Sequence, residues 1–150
     1  MKNLSLPMSF GLVISAVLVA YFLVLASVDK HTNPALSVVN ALITGLGIYE
    51  AIRVSKLENL ESFTCGSAFK TGLITGSVAT FNFTVFFLFY ATEVNPIFLS
   101  LLLEKLHGGF NADIGMLTFV VAVMGVVTTV VSSLIVMQFF KKSNNLVQNK

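Results

Sequence analysis

The sequence predicts an all-α membrane protein: four transmembrane helices in an up-down bundle, with a short helix in the outer loop between helices 3 and 4. Two observations carry this. Residues 3–28, 31–49, 71–92 and 114–140 contain no Asp, Glu, Lys or Arg, and a bilayer core about 30 Å thick is crossed by about 20 apolar helical residues. The composition, 55% hydrophobic and 11% charged, lies outside the range of soluble domains, where about a quarter of residues are charged. A water-soluble globule of 150 residues built this way would lack the charge to cover its surface. The chain is read as one integral membrane domain, residues 1–150.

The first span, about 7–28, starts near Pro7, a residue suited to the first helical turn because its missing N–H would be unpaired there anyway. Lys2 precedes it and small residues follow, as in a signal peptide, but Pro7 to Val28 gives 22 residues against about 7–15 for a signal core. A retained helix is expected. Asp29–Asn33 form an outer turn, and the second span, about 34–53, begins at Pro34 with Asn33 available as N-cap. Ser55–Gly66 is the inner connection, with Val54, Leu57 and Leu60 spaced for a short surface turn of helix. The third span covers about 67–92. Asn95-Pro96 then open a segment, about 96–107, that Gly108-Gly109 stop. Too short to cross, it either lies in the outer interface on Phe98, Leu101, Leu102 and Leu106 or caps the mouth of the bundle. The fourth span is about 114–140.

Orientation follows from the basic residues. With the N-terminus inside, that side holds Lys2, Arg53, Lys56, Lys70, Lys141, Lys142 and Lys150, and the outer side holds only Lys30 and Lys105. Seven against two predicts both termini in the cytoplasm and an even number of spans in the cell's inner membrane.

Composition and motifs also exclude. The net charge of +2 is scattered, with no Lys/Arg run longer than Lys141-Lys142, so nucleic acid is not an expected partner. A single cysteine, Cys65, forms no internal disulfide. His31 and His107 sit in outer loops without the three or four convergent donors a metal requires, and no cofactor is expected. Neither paired carboxylates nor HExxH, G-x-S-x-G or a phosphate-binding glycine loop occurs, so no catalytic residue is assigned. Glu50 is the one carboxylate inside a predicted span, placed one turn from the inner end where it pairs with Arg53 at i+3.

The small and polar residues inside the spans are more informative. Ala68, Gly72, Gly76 and Thr80 recur every four residues in helix 3, and Gly125, Thr129 and Ser133 do so in helix 4. Such faces let helix backbones approach. Internal packing of the bundle is the preferred reading, a dimer interface the other. Asn40, Thr44 and Gly47 make a mildly polar face on helix 2, and Thr71, Thr75, Val78 and Asn82 make one on helix 3. Asn40 and Asn82 are expected to meet inside the bundle at matching depth. The aromatic second half of helix 3, Phe81, Phe83, Phe86, Phe87, Phe89 and Tyr90, points to phenylalanine packing or an interfacial anchor.

The runs Gly47-Ile48-Tyr49-Glu50-Ala51-Ile52-Arg53 and Ser62-Phe63-Thr64-Cys65-Gly66-Ser67-Ala68-Phe69-Lys70-Thr71-Gly72, with Asn95-Pro96 after a long aromatic helix, resemble the bacterial domain-of-unknown-function family numbered 4199. The resemblance covers most of the chain. It implies a small four-helix membrane protein and brings no catalytic residues with it.

Three functional readings follow. The leading one is a non-enzymatic structural or partner-binding component, in contact with the lipid bilayer and a homo-oligomer or membrane-protein partner. The second is a subunit of a small oligomeric transporter or channel, its path lined by Asn40, Thr44, Asn82, Thr129 and Ser133. An intramembrane enzyme is disfavoured by the missing motifs. The charge asymmetry makes a direct prediction. Single cysteines at Asn33, Asn111 and Asn145, in a Cys65→Ser background, are exposed to an impermeant maleimide on intact cells. Asn33 and Asn111 should label and Asn145 should not.

Overall fold

The computed structural model describes residues 2–28, 36–58, 63–94, 97 and 113–140. Among them all regular structure is helical: α1 (Lys2–Ser27), α2 (Ser37–Glu58), α3 (Cys65–Phe89), a π-helical turn (Tyr90–Val94) that continues α3, and α4 (Ile114–Phe139). Four segments, Ser5–Ser27, Val38–Glu58, Cys65–Val94 and Ile114–Phe139, are long and apolar enough to cross a membrane. The shortest has 21 residues, about 32 Å at 1.5 Å per residue. The protein is compatible with a multi-pass membrane protein. The outer turn 29–33, the Pro34 start of helix 2, the 96–107 helix except Ile97, and the tail from Lys141 lie outside the described residues.

Helix boundaries differ from the sequence expectation at three starts and ends, each for a local chemical reason. α1 begins at Lys2, so Pro7 sits inside it. At that depth proline removes only the bond to the Asn3 carbonyl, close to the helix end where water is within reach. α2 continues past Arg53 to Glu58. Its last turns are held by contacts with its neighbours: Ser55 Oγ lies 3.5 Å from Thr71 Oγ1, and Lys56 Nζ stands over the rings of Phe140 and Phe63 at 5.3 and 6.0 Å. A cation above an aromatic face is attracted by the ring's negative centre.

α3 starts at Cys65 because Thr64 caps it. Thr64 Oγ1 accepts from the Ser67 N–H at 3.2 Å, and Ser67 Oγ accepts from the Thr64 N–H at 2.9 Å. This reciprocal pair satisfies two backbone donors that a helix start would leave bare. At the other end the helix widens into the π turn, where Thr92 Oγ1 donates to Leu88 O at 3.0 Å. Asp113 caps α4, its Oδ1 accepting from the Ile114 N–H at 2.8 Å, and a carboxylate there also suits the positive end of the helix dipole.

Among the described residues three clusters make the core. At one end Ile48, Ile52, Ala68 and Val136 are buried together, with Phe63, Met137 and Phe140 packed on them. In the middle Ile14, Leu18 and Ala79 meet Ile43 and Phe83. At the other end Phe22 of α1 is surrounded edge-on by Phe83, Phe86, Phe87 and Tyr90, with centroids 4.9–6.2 Å away. Edge-to-face contact sets the positive ring edge on the negative face. The aromatic stretch therefore divides: these four rings enclose Phe22, while Phe81 and Phe89 are exposed. Many large apolar side chains also face outward, among them Leu46, Phe81, Phe119, Met124 and Phe139. In water so much exposed apolar surface would drive aggregation; against acyl chains it carries no such cost.

Candidate functional site

The small-residue faces of α3 and α4 meet each other residue by residue. Gly72 stands against Ser133, Gly76 against Thr129, and Thr80 against Gly125. Each step of four along α3 is matched by a step of four back along α4, so one register satisfies all three contacts. A Cβ at Gly72 would lie 2.5 Å from Ser133 Oγ and 3.2 Å from Ile48 Cγ2, and one at Gly125 would lie 2.5 Å from Thr80 Cγ2. At Gly76 a Cβ would overlap Thr129, with its Oγ1 at 2.5 Å and its Cβ at 2.8 Å. Glycine is required here by space: each hydroxyl side chain occupies the volume that a methyl group on the opposite helix would need.

The seam is closed to the surrounding solvent and polar together. Thr75, Thr129 and Ser133 are essentially inaccessible, at 0%, 1% and 0% exposure. Thr80 Oγ1 and Thr129 Oγ1 are 3.4 Å apart, a weak contact in which either hydroxyl can donate. Two further close approaches attach α1. Gly11 faces Thr75 O and Val78 Cβ, each 2.7 Å from where its Cβ would be, and Gly47 of α2 faces Ile14. From the sequence Gly11 has no assigned role, and Gly47 is placed only on the mildly polar face of helix 2. The available signal was the spacing of four that links Gly11 to Ser15 and Gly47 to Ala51.

The polar residues of helices 2 and 3 do not pair as expected. Asn82 Nδ2 donates to Val78 O of its own helix at 2.9 Å, Thr44 Oγ1 donates to Asn40 O at 2.9 Å, and Asn40 Oδ1 is buried without a partner among the described residues. No Asn40–Asn82 bond forms. Ile14 and Leu18 of α1 pack with Ile43 of α2 and Ala79 of α3, and the Asn82 amide finds its acceptor one turn back along its own helix. Local satisfaction of this kind keeps interhelical amide bonds in membranes weak.

Charged groups lie at the margin. Glu50 and Arg53 form an ion pair at 3.3 Å with both side chains about half exposed. Cys65, the first residue of α3, is a free, partly exposed thiol. Among the described residues no group of three or more His, Cys, Asp or Glu is placed to hold a metal ion; His31 and His107 lie outside them. Compared with models of protein families, with curated proteins and with solved structures, the chain matches none.

The seam predicts substitutions of opposite sign. Gly76→Leu forces a side chain into Thr129 and should destabilise the folded protein in micelles by about 2 kcal/mol or more, an overpacking cost. At Gly45 a Cβ meets only Ser132 Oγ, at an ordinary 3.6 Å, so Gly45→Ala should be neutral or stabilising by up to about 1 kcal/mol through helix propensity. Reversible unfolding in mixed detergent measures both.

Proposed function

We propose that this protein is a non-enzymatic, multi-pass membrane component whose four spans form a closed up-down bundle and whose outward surfaces engage lipid and a membrane-protein partner or further copies of itself. The observation that carries the proposal is how the interior polar residues are engaged. Thr129 and Ser133 fill the space opposite Gly76 and Gly72, while Thr44 and Asn82 bond backbone carbonyls of their own helices. Four of the five residues that would line a path through a transporter, Thr44, Asn82, Thr129 and Ser133, are thus occupied in packing or helix bonding.

The up-down arrangement draws support from the contacts between successive helices. Ile14 lies against Gly47 and Tyr21 donates to Leu36 O at 3.1 Å, so the order of contacts reverses from α1 to α2. It reverses again from α3 to α4. Both termini are placed in the cytoplasm of a bacterial cell, with the inner membrane as location, on the seven-to-two distribution of Lys and Arg. The short helix over 96–107 belongs to the proposal on the strength of Pro96 and Gly108-Gly109. Membership of the family numbered 4199 is proposed on the motif runs between Gly47 and Gly72.

Purified protein in liposomes tests the closed bundle. Vesicles carrying it should hold sodium, potassium and proton gradients as long as protein-free vesicles do. A protein-dependent flux that Thr129→Val abolishes would establish the transporter reading in its place.

A further inference from the structure

Hydroxyl side chains in a membrane helix have a ready acceptor, the carbonyl three or four residues earlier. Ser9, Ser15, Ser27, Thr44, Thr92 and Thr118 use it, at 2.7–3.0 Å. Thr75 on α3 and Ser133 on α4 do not. Both are fully buried, at 0% exposure, and neither hydroxyl has a hydrogen-bond partner among the described residues. Thr84 Oγ1 and Asn40 Oδ1 are also unpartnered, but those residues are only partly buried.

The two orphaned hydroxyls are carried by the two helices of the seam. Ser133 Oγ is aimed across the seam at Gly72. Thr75 follows Gly72 by three residues, about 4.5 Å of helical rise on the same side of α3. On that geometry we infer that the α3–α4 seam binds one water molecule between Thr75 and Ser133, level with Gly72 and Gly76.

The chemistry of the pair selects water. Each hydroxyl both donates and accepts, and a water molecule does the same with two to four partners. A cation in a dry site needs about six oxygens or a formal negative charge. Thr75 and Ser133 offer two neutral oxygens, and the charged side chains of the adjoining turns, Glu50, Arg53 and Lys70, are exposed. Bound there, the water joins α3 to α4 about one turn from the Thr80–Thr129 contact and relieves the cost of a bare hydroxyl in a hydrocarbon surrounding. This inference concerns the interior of the bundle and stands whether or not the protein conducts ions.

The full chain in lipid nanodiscs is the material for the test, as wild type, Thr75→Val, Ser133→Ala, the double variant and Thr75→Ser. Water-to-methyl magnetisation transfer by NMR should reach the Thr75 methyl in the wild type and be lost in Ser133→Ala. Each hydroxyl deletion should raise the unfolding equilibrium constant about fivefold or more, as expected for stranding a buried polar partner. The double variant should be no worse than the more damaging single one. Thr75→Ser, which keeps the hydroxyl, should unfold like the wild type, and its comparison with Thr75→Val decides the matter if Ser133→Ala does not fold. Absence of the water signal in the wild type would overturn the inference. So would single deletions that are neutral or stabilising, which mark a dry seam. Stability that rises with sodium but not with choline would place a cation there and overturn it equally.

Discussion

The close approach of α3 and α4 is the constraint on which the rest of the bundle depends. In hydrocarbon, helices gain nothing by hiding apolar side chains from lipid, because acyl chains are as apolar as leucine. Association must come from dispersion across short distances and from weak polar contacts. Both require that one backbone be bare where the other carries a side chain. Gly72, Gly76 and Gly125 supply the bare positions, and Ser133, Thr129 and Thr80 supply the side chains. The exchange of roles between the helices, two glycines on α3 and one on α4, resists sliding. A one-turn shift would set Gly76 against Gly125 and leave a gap, or Thr80 against Thr129 and create a clash.

With α3 and α4 set, the other helices have defined places. α2 reaches the pair at the end where Ile48 meets Gly72 and where Ile48, Ile52, Ala68 and Val136 pack together. α1 reaches α3 through Gly11 and, farther along, through Phe22 in its enclosure of four rings. The small-residue seam and the aromatic cluster thus divide the length of α3, close contact in its first half and ring packing in its second. At the margin where α2 ends, Lys56 on Phe63 and Phe140 ties α2 to the end of α4. The charged side chains keep to these margins, where desolvation is cheap.

The spans and the small-residue faces were legible in the sequence because each has a period or a length that chemistry fixes. Uncharged runs of the right length mark bilayer crossings, and a spacing of four marks one side of a helix. The partner of each face was less legible. A stripe on α3 says only that something approaches, and the match to α4 depends on the relative translation of two helices far apart in sequence. Asn40 and Asn82 show the same limit in sharper form. Depth along two helices leaves rotation open, and an amide that bonds its own helix at Val78 O gives no outward sign in the sequence. The Thr64–Ser67 capping box was present to be read and places the start of α3 two residues before the expected position. Gly11 was missed because a lone glycine in a long apolar helix has many explanations.

The central claim, one register between α3 and α4, is tested most directly by disulfide formation in a Cys65→Ser background. A Cβ at Gly125 would lie 3.2 Å from Thr80 Cβ, near the roughly 3.5–4.5 Å that a disulfide spans. Cysteines at Thr80 and Gly125 should oxidise rapidly and nearly completely in membranes. The pairs Gly76 with Gly125 and Thr84 with Gly125, each one turn out of register, should oxidise slowly. Equal or faster oxidation of either shifted pair would contradict the account.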